Sequence, residues 1–312
     1  MHPAPSILLF TTLSGAGYGL LAVWSLAGLA GLIPPTSPAG ALGLGTALAL
    51  VTAGLLASTF HLGRPERAWR AIGQWRTSWL SREGVAALAT YLPALLLAGL
   101  WVLGGRIAAP PALLAALGAT TTVACTGQIY ATLRPIPRWH QPLTTPVYLA
   151  LALAAGAQLA LLLAALLGPV SAPLTGLVLL ALPLAWGLKL LWWRAGDGAE
   201  PIASADAAIG LPGRGPVRLV EPPHTASNYL LDEMGYRVAR RHAAKLRRLA
   251  LLFGLALPWG LAAVGLALDG ALLVAAAFVG TLGLALGLAI ERWLFFAEAR
   301  HTVTLWYGEP AV

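Results

Sequence analysis

The side chains with chemical potential in this sequence crowd into one short stretch. His61 opens the run His61-Leu62-Gly63-Arg64-Pro65-Glu66-Arg67-Ala68-Trp69, and Glu83 closes the run Ser78-Trp79-Leu80-Ser81-Arg82-Glu83. An imidazole titrates near neutrality, and a carboxylate sheltered from water can hold a proton there as well. Facing one spot, the two could handle the protons that accompany a two-electron carrier such as a quinone, with one group hydrogen-bonded to each carbonyl. The arginines admit another reading, in which His61 caps a helix end and Glu83 joins Arg64, Arg67 or Arg82 in an interfacial ion-pair cluster. Spacing alone leaves both readings open.

The elements that must position these groups are membrane helices. Residues 1–63 contain no Lys, Arg, Asp or Glu, and five arginines then fall between Arg64 and Arg82. The chain is 58% hydrophobic and 10% charged, with a mean hydropathy of +0.75, which excludes an ordinary soluble domain. Apolar runs of about 20 residues match the ~30 Å hydrocarbon core of a bilayer. Eight spans are predicted, near 6–33, 40–61, 83–104, 111–133, 143–167, 172–193, 249–268 and 270–296. The fold expected is an all-α integral membrane protein, a bundle of eight transmembrane helices forming one domain over 1–312. Prolines at 34, 35 and 38 and paired glycines at 104 and 105 punctuate it. No basic residue precedes the first apolar run, which argues against a cleaved secretory signal.

Eight spans put both termini on one side, together with the loops 62–82, 134–142 and 194–248. Of the twenty Lys and Arg residues only Arg106 falls opposite. The positive-inside rule then places the termini and large loops in the cytoplasm, in a bacterial inner membrane. The net charge of +8 sits in short segments between apolar blocks, so it serves orientation, lipid contact or a protein partner rather than nucleic acid. A second basic cluster, Arg134-Pro135-Ile136-Pro137-Arg138-Trp139-His140, lies at the same surface. In the long loop a basic amphipathic helix is expected from Ser227, with Arg237, Arg240 and Arg241 on it. These two segments supply the candidate docking residues for a soluble partner: Arg134, Arg138, Trp139, His140, Arg237, Arg240 and Arg241. Plain interfacial anchoring is the competing reading for both.

Within the spans the notable polar groups are Gln128, Gln158 and Tyr18, while Lys189 and Glu291 stand near enough to helix ends to snorkel. Nearly uncharged spans speak against a proton pump or an ion-coupled transporter. His61, His140, His242 and His301 all fall at or beyond the basic interface, where axial ligation of a bundled haem is not expected. The one cysteine, Cys125, can form neither a disulfide framework nor a thiolate metal site.

The pattern His61-Leu62-Gly63-Arg64-Pro65 with Trp69, then Ser78 to Glu83, then Ile129-Tyr130-Ala131-Thr132-Leu133-Arg134-Pro135 running to Trp139-His140 and Pro142-Leu143-Thr144, resembles the DmsC family. Those proteins are membrane anchors of dimethyl sulfoxide reductase-type molybdoenzymes. The resemblance implies an iron-sulfur subunit and a molybdopterin catalytic subunit as partners, with no metal or haem in the anchor itself. It also implies a quinone (ubiquinone or menaquinone) site at His61 and Glu83, with Arg64 and Arg67 as further candidates. Met1-His2-Pro3-Ala4 and Glu233-Met234-Gly235-Tyr236-Arg237-Val238-Ala239-Arg240-Arg241 look more like the anchors of cytoplasmic sulfite dehydrogenases. Quinone reduction coupled to sulfite oxidation is therefore the expected direction, with quinol-driven S-oxide reduction or a passive tether as the alternatives.

Overall fold

A computed structural model describes residues 4–60, 64–218, 220–221 and 242–312. Eight helices in it are long and apolar enough to cross a membrane: α1 Pro5–Leu29, α2 Ser37–Thr59, α3 Trp79–Gly104, α4 Ala109–Ala131, α5 Thr144–Leu167, α6 Ala172–Asp197, α7 Ala243–Gly265 and α8 Gly270–Ala297. The chain is an all-α membrane bundle, as its hydropathy requires. Proline at the first or second helical position opens α1, α2, α4 and α6, where its missing N–H costs no hydrogen bond. Gly105, at φ +60°, ends α3 in the left-handed cap that side-chain-bearing residues avoid.

Helix α5 lies at the centre and packs on α1, α4, α6 and α8, while α2 and α3 close the other flank against α1 and α4. Lipid offers no hydrophobic drive for helices to associate, so close packing of small residues must hold them. The crossing of α1 and α5 shows how. A Cβ built on Gly19 would stand 1.8 Å from the Ala152 carbonyl oxygen, and one on Gly156 would stand 2.1 Å from the Gly19 carbonyl carbon. Backbone faces backbone there, and neither side can yield as a flexible side chain would. Gly19→Ala should therefore lower stability by at least the ~1–3 kcal/mol typical of overpacking. A thermal midpoint of the detergent-solubilised protein unchanged by that substitution would contradict the contact.

In α7 a π-helical turn over Leu252–Ala256 sits where Gly254 meets Gly287 of α8 and the Trp186 ring of α6. Between α2 and α3 the chain runs as an amphipathic 3₁₀ segment, Pro65–Gln74. The Ser81 hydroxyl donates to the Ala71 carbonyl. Arg82 donates to the carbonyls of Trp75 (3.0 Å) and Arg76 (2.7 Å). His61 and the expected basic helix with Arg237, Arg240 and Arg241 lie outside the described residues.

Candidate functional site

Helix α3 begins earlier than its hydropathy suggests, because Ser78 caps it, its side chain accepting from the Ser81 amide at 3.4 Å. Glu83 consequently lies one turn inside the helix instead of opening it. The side chain is turned inward and the residue is only 5% exposed. None of the described arginines pairs with it. Arg82 is spent on the loop carbonyls and stacks over the Trp79 ring at 4.2 Å. Among the described residues Arg67 pairs only with Glu66, at 3.9 Å, and Arg64 is exposed. The ion-pair reading of this cluster therefore does not describe Glu83.

Its partner is Thr126 of α4, whose hydroxyl bonds Glu83 Oε1 and also lies 3.1 Å from the Thr122 carbonyl. A hydroxyl carries one proton and can accept as well. An ionised Glu83 takes that proton; a protonated Glu83 donates to Thr126, which then donates to Thr122. Both states of the carboxyl are thus accommodated by turning one O–H, as a group that gains and loses protons requires.

Glu83 also lines a cleft of about 420 Å³. Ile7 and Phe10 of α1, Leu55 and Ser58 of α2, Ile129 and Tyr130 of α4 and the Trp69 face of the 3₁₀ segment form its walls. Leu80 and Leu88, also lining it, are exposed on the lipid-facing side. The surfaces are overwhelmingly apolar, with Glu83, Ser58 and Ser81 among the few polar residues. A flat ring with a hydrocarbon tail matches such a lining. Ser58 belongs to the last turn of α2, so the segment that continues to His61 leaves from the rim of this cleft.

Beyond Thr126 a smaller, mostly apolar cavity of about 30 Å³ has Thr11, Thr12, Ser14, Tyr18, Thr126, Tyr148 and Arg292 among its lining residues. It has the volume to hold a water. Arg292 brings in the feature that sequence reasoning missed. Lys189 of α6 and Glu291 of α8, expected to snorkel, are both fully buried. Lys189 Nζ is 2.6 Å from Glu291 Oε1, and Arg292 grips the same carboxylate with two nitrogens, one at 2.7 Å. The Lys189 ammonium also sits 3.6 Å from the Trp192 ring centre. At 1.5 Å per residue Lys189 lies about 12 Å inside the end of α6, too deep for its head to reach water past that packing. The available signal was an adjacent Glu-Arg pair inside an apolar run, with a lone Lys at similar depth on another helix.

The second basic cluster divides. Arg138 bonds Asp197 at 2.8 Å and Glu298 at 2.9 Å, and Arg247 bonds the same two carboxylates, tying α6, α7 and α8 together at one face. Trp139 does not reach the surface. It is 3% exposed, its indole N–H donates to the Phe295 carbonyl at 2.9 Å, and its ring packs among Tyr130, Phe295 and Phe296. As a docking contact Trp139 is therefore corrected to a core residue, because an amphipathic ring with a satisfied N–H gains more from burial. Arg134 and His140 are exposed at that surface, with His140 Nδ1 2.7 Å from the Ala131 carbonyl. Among the described residues no group of three His, Cys, Asp or Glu comes together as a metal site.

A family model described as DMSO reductase anchor subunit (DmsC) matches residues 1–297. The chain belongs to this family. It is also 34% identical to a sulfite dehydrogenase subunit of Allochromatium vinosum, over an alignment of 333 positions that takes in the whole of both chains. For this member of the DmsC family, the motif residues sort by depth. Glu83 and Tyr130 line the cleft, Trp139 and Thr144 are buried beneath it, and Arg64, Arg67 and Arg134 stay outside.

Proposed function

We propose that the chain is the quinone-reactive membrane anchor of a molybdopterin oxidoreductase, passing electrons between a partner iron-sulfur subunit and a membrane quinone. Sulfite oxidation by the catalytic partner is the proposed electron source, in keeping with the sulfite dehydrogenase protein it resembles. The carrying observation is Glu83: a buried carboxyl, free of any described arginine, set in the wall of an apolar cleft at the lipid surface. A quinone bound there would accept two electrons and two protons on becoming quinol. Glu83, with Thr126 turning to match its protonation state, would hold one proton at Oε1, and His61, at the end of the chain segment leaving Ser58, is the proposed partner for the opposite carbonyl. Arg64 and Arg67 would face the anionic headgroups and the incoming subunit. The charge bias supports a cytoplasmic docking face in a bacterial inner membrane, with both termini on that side.

Gly84 lines the cleft, and a Cβ there would meet nothing within 4 Å. Gly84→Phe should thus fill the cleft without straining the bundle. The expected result is loss of quinone-analogue binding, read by fluorescence quenching, with partner subunits still copurifying. Undiminished analogue binding would remove this cleft as the site.

A further inference from the structure

Two buried cations share one buried carboxylate in the wall behind the cleft. Lys189 and Arg292 both pair with Glu291, which leaves one positive charge unmatched among the described residues. The surface cluster is balanced within itself, Arg138 and Arg247 pairing with Asp197 and Glu298, so it brings no net negative charge to the triad. Two indoles contact cations of both groups. Trp192 lies between Lys189 (3.6 Å) and Arg138 (5.5 Å), and Trp193 between Lys189 (5.1 Å) and Arg247 (5.2 Å).

On the other side two tyrosines stand between the triad and the cleft. The Arg292 guanidinium stands 4.2 Å from the Tyr148 ring centre. Tyr148 stacks on Tyr130 at 5.6 Å, and Tyr130 is part of the cleft wall. Arg292 and Thr126, the hydrogen-bond partner of Glu83, line the same small cavity. In an apolar medium a surplus charge acts over such distances with little screening.

We propose that the Lys189–Glu291–Arg292 triad acts as a fixed positive field that favours negative charge in the cleft, on the quinone headgroup or on Glu83. Lys189, Glu291 and Arg292 are then positioning residues for electron exchange, not contacts of the quinone. This inference rests on the quinone reading and adds the electrostatic element that the cleft wall lacks.

The test compares two ligands of one shape: an alkyl hydroxynaphthoquinone, ionised at neutral pH, and its uncharged O-methyl ether, each titrated by fluorescence quenching against the intact complex. Lys189→Met removes the surplus charge and leaves Glu291 doubly bonded to Arg292. A unit charge acting over about 15 Å at an effective dielectric of about 20 changes a binding constant by roughly sixfold. Lys189→Met should weaken the ionised ligand by about that factor and the ether by less than about twofold, while Lys189→Arg should leave both unchanged. Should the methionine variant fail to accumulate, Lys189→Gln makes the same charge change with a polar side chain. Equal weakening of both ligands, or of neither, overturns the proposal. Wild-type complex that binds neither ligand would instead dismiss the quinone site itself, and this inference with it.

Discussion

Replacing Glu83 by Gln lowers quinone-linked turnover by about 10²–10⁴-fold, the range expected when a positioned proton donor or acceptor is lost. Glutamine keeps the shape of the side chain, and its carbonyl oxygen can still accept from Thr126, so packing around α3 and α4 should survive. What it cannot do is gain and lose a proton. The loss should therefore appear with a quinone as electron acceptor and be absent with an artificial acceptor that draws electrons directly from the soluble partners. Measuring both rates on one preparation separates a chemical defect from failed assembly. A quinone-linked rate within about threefold of wild type would show that Glu83 is not on the proton route.

Glu291→Gln has the largest expected effect on stability. It leaves Lys189 and Arg292 side by side and fully buried, with no anion among their described contacts. Breaking a buried pair by removing one partner costs about 3–5 kcal/mol, because the remaining charge stays desolvated. Here two cations are stranded and also repel each other. The expected outcome is a large fall in thermal midpoint in detergent, or failure to accumulate in the membrane. Asp197→Asn is the useful contrast. It also removes a carboxylate shared by two arginines, but at a half-exposed position where water takes over much of the solvation and the cost is about 1 kcal/mol or less. Equal effects of the two substitutions would mean that the triad is wetter than its burial indicates.

Much of the fold was legible because lipid imposes a length rule. A helix must cross about 30 Å, so the eight apolar runs, their proline and glycine breaks and the side bearing the charges could be read directly. Boundaries slipped where capping intervened, as at Ser78, which starts α3 four residues ahead of the apolar run and so carries Glu83 inside. The identity of Glu83 as a site candidate came from its type and its neighbourhood of arginines. Its partner Thr126 was not legible, since a threonine in a membrane helix usually bonds its own backbone, as Thr90 and Thr120 do. Lys189 and Glu291 were misjudged for a different reason. Hydropathy reports how many charges a span holds but not whether a second span offers the opposite charge at the same depth. Trp139 was read as an interface residue because tryptophans cluster there; only the folded packing shows that Phe295 claims its N–H.

The walls of the cleft differ in how firmly they are held. α1 is locked through Gly19 to the backbone of α5, and α3 and α4 pack along their length. The 65–74 segment, by contrast, is fastened to the bundle by the hydrogen bond from Ser81 to Ala71, with Arg82 holding the carbonyls of Trp75 and Arg76 just beyond it. An isoprenoid chain entering sideways from the bilayer would thus meet four helical staves and one strap. In the proposed quinone role that strap, at the headgroup level, is the least firmly held wall past which the tail would enter.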